Sequence, residues 1–86
     1  MNMTMTQENK KEFFQTADLP LAAALCASGF FVEDVKKIDI KRSTFIFIAS
    51  KELEEKIKEY WRGEMRLEPQ NYFNHTKALK VRIFAQ

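Results

Sequence analysis

"RSTFIFIAS" (residues 42–50) is the stretch on which the reading of this chain turns. Its aromatic and β-branched residues suit a strand, and successive strand side chains point to opposite faces. Phe45, Phe47 and Ala49 then share one face, and Thr44, Ile46 and Ile48 share the other. Both faces are apolar, so the pattern alone does not say which one meets the core. More of this chain, a second copy or a partner must cover the second face.

Working outward, "FFVEDVKKI" (30–38) reads as another strand, and "DIKR" (39–42) supplies the turn between the two. Asp39 can bond its own backbone there. Parallel pairing would need a crossover of about a dozen residues or more, so an antiparallel hairpin is expected. "EFFQT" (12–16) is a third, short strand, with Phe13 and Gln15 on one face and Phe14 and Thr16 on the other.

The helices announce themselves by their ends. In "DLPLAAALCASG" (18–29), Asp18 can cap the free N–H groups of the first turn. Pro20 falls where its missing N–H costs nothing, and Gly29 is placed to end the helix in the left-handed conformation. Ala and Leu dominate all round it, which predicts a central packing position. In "SKELEEKIKEYWRG" (50–63), Ser50 caps, and Leu53, Ile57, Tyr60 and Trp61 form an apolar stripe. Glu54 can pair with Lys58 at i,i+4 spacing, and Gly63 ends the helix. "EMRLE" (64–68) is extended in this reading. "PQNYFNHTKALKVRIFA" (69–85) carries two patterns. Pro69 in a first turn with Tyr72, Thr76, Leu79 and Ile83 behind it suits a helix, whereas "LKVRI" alternates as a strand would. A helix is expected, because "FNHTKALK" has no β character.

The order is then β-α-β-β-α-α, an α+β domain with a three-stranded antiparallel sheet and two to three helices packed on it. Three helices around so small a sheet are enough to cover both of its faces. The expected core is Phe13, Leu21, Leu25, Phe45, Phe47, Leu53, Ile57, Trp61 and Leu79. Eighty-six residues, 45% of them hydrophobic, make one globular domain over residues 11–86. Residues 1–10 are polar and without period, and they read as a disordered N-terminal tail.

The chemistry-bearing residues are few. The chain has one cysteine, Cys26, and one histidine, His75. No internal disulfide can form, and no closed zinc set of four ligands exists. Cys26 lies among alanines rather than at an electropositive helix start, which is where a reactive thiol is expected. No Gly-rich phosphate cradle is present. The paired acids at 33–34 and 54–55 are adjacent, so they diverge on strand or helix alike. No catalytic residue, metal site or cofactor is expected. No secretory h-region opens the chain and no apolar run approaches the roughly 20 residues of a membrane span. The expectation is a cytoplasmic protein with no membrane contact.

What remains is binding. Net charge is +2 and the sequence pI is about 8.8, and the distribution says more than the total. Lys36, Lys37, Lys41 and Arg42 flank one turn, and Lys77, Lys80 and Arg82 lie in a final stretch without acids. Phosphates suit such a cationic set, and Phe45 and Phe47 on an uncovered strand would stack bases. The same cations also serve as edge-strand guards. If Ile46, Ile48 and Val35 share an uncovered face, that patch requires a protein partner or a second copy. The expected function is a small binding module, with a protein partner or homo-oligomer first and nucleic acid as the alternative.

Three stretches also carry a resemblance: "FFQTADLPLAAALCASGF", "RSTFIFIASKELEEKIKEYW" and "LEP…ALKVRI". They resemble a family of small bacterial and phage proteins catalogued only as a domain of unknown function, over about residues 12–84. The resemblance implies an accessory or inhibitor protein of a phage or mobile element. It implies no activity and no site residues.

Overall fold

Strand pairing fixes the sheet. In a computed structural model of the chain, which describes residues 12–85, the strands are β1 (Phe13–Thr16), β2 (Asp34–Lys37) and β3 (Ser43–Ile48). The helices are α1 (Leu19–Ala27), α2 (Lys51–Trp61) and α3 (Pro69–Phe84). The order is the expected β-α-β-β-α-α, and the 69–85 stretch is helix. The tail assigned to residues 1–10 lies outside the described residues.

The sheet order is β1-β3-β2, antiparallel throughout, so β3 is central. Its register pairs Phe14 with Phe47 and Val35 with Phe45. Because side chains alternate, Phe14, Val35, Phe45 and Phe47 share one face. Phe13, Gln15, Asp34, Lys36, Thr44, Ile46 and Ile48 share the other. Phe45, Phe47 and Val35 belong to one buried cluster with Leu21 and Leu25 of α1, Leu53 of α2 and Leu79 of α3. Ile46 is buried but stands outside that cluster. All three helices therefore contribute to the cluster on the Phe45 face, and Ile46 is buried on the other face without belonging to it. The core cluster takes its strand residues from the Phe45 face alone, although three helices are enough to cover both. The register also moves Val35 from the Ile46 face to the core.

α1 holds the centre. Asp18 Oδ1 accepts the Leu21 N–H at 3.1 Å. Five consecutive residues, Leu21 to Leu25, are buried, as an apolar helix inside a small domain must be. At its end, Gly29 donates to Cys26 O and Phe30 to Leu25 O, at 3.0 and 3.1 Å, with Gly29 at φ +106°. This Schellman arrangement ties Phe30 to the helix end. It explains why β2 begins at Asp34 rather than at residue 30.

α3 runs antiparallel to α1. Its first turn reaches Ala27, whose carbonyl accepts from Asn71 Nδ2 at 3.4 Å, and its last turn lies beside Leu19. Its inward side is Tyr72, Thr76, Leu79 and Ile83, the stripe expected from spacing. Glu68 caps α3 by accepting the Asn71 N–H at 2.7 Å. Residues 64–68 form no strand. Two expected core residues are outside: Phe13 is 55% exposed and Trp61 64%. Phe13 stands on the Ile46 face by register. Trp61 lies one position beyond the seam of Leu53, Ile57 and Tyr60, and its ring meets Tyr60 edge-on at 5.0 Å. Ile57 is half-buried against the core. The ion pair on α2 is Lys56–Glu59, at 3.2 Å, rather than the expected Glu54–Lys58.

Candidate binding surface

The turn between β2 and β3 is built by one carboxylate. Asp39 Oδ1 accepts the backbone N–H of Lys41 and of Arg42, both at 2.9 Å. Asp39 Oδ2 meets Arg42 Nε at 3.4 Å. Those backbone bonds, and then the Arg42 charge, hold the Asp39 carboxyl below its ordinary range. The Ile38 N–H donates to Arg42 O at 2.9 Å and closes the hairpin. The turn thereby presents Ile40 at its tip with 90% of its surface exposed.

The last turn of α3 comes to the same place. Phe84, 84% exposed, lies one position past the inward Ile83 and so faces outward. Ile40 and Phe84 line one cleft of about 550 Å³, with Leu19, Phe45 and Ile83 also on its walls. Lys37, Lys41 and Arg42 line it too. A large exposed side chain is unremarkable singly. Two of the most exposed apolar groups meeting at one cation-rimmed cleft is a surface built for contact.

The seven cations singled out in the sequence do not gather as one patch. Strand alternation puts Lys37 on the helix side, opposite Ser43, and Lys36 on the Ile46 face, opposite Thr44. Lys80 is exposed one turn before Phe84, on the same flank of α3. Lys77 instead lies over its own helix neighbour, with Nζ 5.1 Å from the Phe73 ring centroid. Arg82 turns to the β2 side, where Nη1 donates to Val32 O at 3.3 Å. Of the seven, the cleft is lined by Lys37, Lys41 and Arg42. Phe45 and Phe47, expected as stacking platforms on an uncovered strand, are each 1% exposed and form the core instead.

A second hollow, of about 390 Å³, brings together the two residues that are remote in sequence, Cys26 and His75, with Phe30, Phe31 and Arg82. Burial pushes the Cys26 thiol above its ordinary 9.0, while the Arg82 charge and a backbone hydrogen bond with Val32 pull it partly back. A thiol held protonated is a poor nucleophile. Among the described residues, no group of three or more His, Cys, Asp or Glu side chains is placed to hold a metal ion. No described helix is long and apolar enough to cross a membrane.

The resemblance noted in the sequence has a definite counterpart. The family described as domain of unknown function (DUF5659) matches residues 11–85. This chain belongs to that family. No curated protein and no solved structure matches it. Membership in the DUF5659 family thus brings no assigned activity, and the surface must be read from its own geometry.

Sequence reasoning passed over Ile40 and Phe84, the residues that distinguish this surface. A signal for each was present. Ile40 is an apolar residue inside a charged turn, where nothing in a strand or helix period calls for it. Phe84 falls one step off the Tyr72–Thr76–Leu79–Ile83 stripe, which places it outward once the helix is accepted.

Proposed function

We propose that this chain is a small non-enzymatic binding module that engages a protein partner through the cleft between the β2–β3 turn and the end of α3. The observation that carries the reading is the pairing of Ile40 and Phe84 across that cleft, both almost fully solvated. Solvated apolar groups of this size contribute nothing to the fold. Covering them would contribute about 1.5–3 kcal/mol each to an interface, and central anchors carry most of the binding energy at such contacts. A cytoplasmic accessory or inhibitor protein of a phage or mobile element fits the resemblance to small bacterial and phage proteins, and such a protein acts by occupying a surface.

The test compares tagged wild-type chain with an Ile40→Ser/Phe84→Ser double variant as bait in extract of its source cell, with and without nuclease treatment, by quantitative mass spectrometry. A protein retained by the wild type and lost from the double variant is the expected result. Equal retention by both baits, or a capture that nuclease abolishes, contradicts the reading. The second outcome would favour nucleic acid as the partner.

A further inference from the structure

The cleft also says what kind of segment it takes. Resting on the protein-binding reading above, we infer that its occupant is an acidic, apolar peptide segment of a different protein: a bulky apolar side chain seated between Ile40 and Phe84, with carboxylates beside it that meet Lys37, Lys41 and Arg42.

Three observations carry this. First, the rim charge has one sign. The ion pairs among the described residues are Arg42–Asp39, Lys56–Glu59 and Arg62–Glu64, and none includes Lys37 or Lys41. Asp39 is committed to the turn, where its Oδ1 already accepts two backbone N–H groups. Lys37 and Lys41 therefore face a partner with no ion pair among the described residues, while Arg42 shares Asp39, and complementary charge gives both attraction and partner choice. Second, the same rim argues against a second copy. A two-fold contact places a patch on itself, which would bring the cations of one cleft rim close to those of the other. Third, the site is concave and floored by Leu19, Phe45 and Ile83. At about 550 Å³ it falls in the roughly 300–1,000 Å³ range of small-molecule and cofactor clefts, which leaves room for a bulky side chain. Bases stack on accessible aromatic faces, and of the two aromatic residues lining the cleft Phe45 is 1% exposed, which leaves Phe84 alone to offer one.

The experiment pans a random phage-displayed peptide library on three immobilised proteins: wild type, Lys37→Glu/Lys41→Glu, and Ile40→Ser/Phe84→Ser. All positions changed are exposed, and circular dichroism checks that each variant is folded. Peptides enriched on the wild type are expected to carry net negative charge with Leu, Phe or Trp. A synthetic one should bind each variant about tenfold more weakly or worse, and binding should weaken as salt rises. Enriched peptides that lack an acidic bias, and that ignore Lys37→Glu/Lys41→Glu but need Ile40 and Phe84, would overturn the acidic class while leaving the cleft a protein-binding surface. Peptides indifferent to both variants, or no enrichment at all, would overturn both readings. A mixed-sequence oligonucleotide and phosphatidylserine vesicles serve as parallel probes. Charge-dependent binding of either one, with no peptide bound, would also overturn both.

Discussion

Ile40 and Phe84 lie on the walls of one cleft although one ends a hairpin and the other ends a helix. The contact between these two chain regions depends on two separate devices. The Asp39 turn sets where Ile40 stands, and the antiparallel packing of α3 on α1 sets where Phe84 stands. Neither side chain belongs to the buried cluster, so the fold does not require them to be apolar.

Removing either group should leave stability intact. Ile40→Ser and Phe84→Ser are each expected to change unfolding free energy by no more than about 0.5 kcal/mol, as exposed substitutions do. Urea denaturation monitored by circular dichroism measures this. A loss of several kcal/mol from Phe84→Ser would show that Phe84 packs against the core.

α2 offers a contrast between two apolar residues of one helix. Leu53 is fully buried and Trp61 largely solvated. Leu53→Ala should cost about 2–5 kcal/mol through lost burial and a residual cavity. Trp61→Ala should cost less than about 1 kcal/mol despite the larger side chain. Equal losses in urea titrations would mean that the Trp61 ring packs on the domain after all.

The comparison of sequence and structure turns on residues such as these. Caps were legible because they are local: Asp18 and Ser50 each satisfy an N–H three positions on. The hairpin and its Asp39 turn were legible for the same reason. The covered face of β3 was not, because Phe45 and Ile46 are equally apolar and only the packing of distant helices separates them. Phe13 and Phe14 pose the same problem on β1. Their choice is settled by the pairing of Phe14 with Phe47, whose ring centroids are 6.4 Å apart. Trp61 was misread because the apolar stripe is wider than the narrow seam a peripheral helix buries. The binding surface was half legible. The cations at the turn could be seen, but which of them strand alternation would keep together depended on the register.

The turn should weaken in acid. The Asp39 carboxyl titrates below its ordinary 3.8 in the folded chain, so its ionised form stabilises the fold above that value. The stabilisation is lost as pH falls through the depressed folded value. Asp39→Asn keeps an oxygen acceptor but removes the charge. The Tm gap between wild type and Asp39→Asn is expected to be largest near neutral pH and to close in strong acid. A gap that does not vary with pH would show that the charge adds nothing to the turn.

Cys26 should behave as a reluctant thiol. Burial raises its folded value above 9.0, so its contribution to stability is complete below the unfolded value and is lost as pH rises through the folded one. At mildly alkaline pH, iodoacetamide is expected to alkylate the native chain more slowly than the urea-unfolded chain. Arg82→Gln removes a charge that lowers the thiol, which disfavours the thiolate further. If that variant reacts faster, its loss has opened the hollow, and access rather than charge governs the rate.

The most direct test of the central claim places a photo-crosslinking amino acid at position 40 in the full chain, with the same group at Glu55 on the exposed side of α2 as a control. Irradiation in cells that express the chain at natural levels should give a covalent adduct with a protein at position 40, absent at position 55 and lost when Phe84→Ser is added. Adducts that form equally at both positions, or that disappear on nuclease treatment, would contradict a protein partner seated between Ile40 and Phe84.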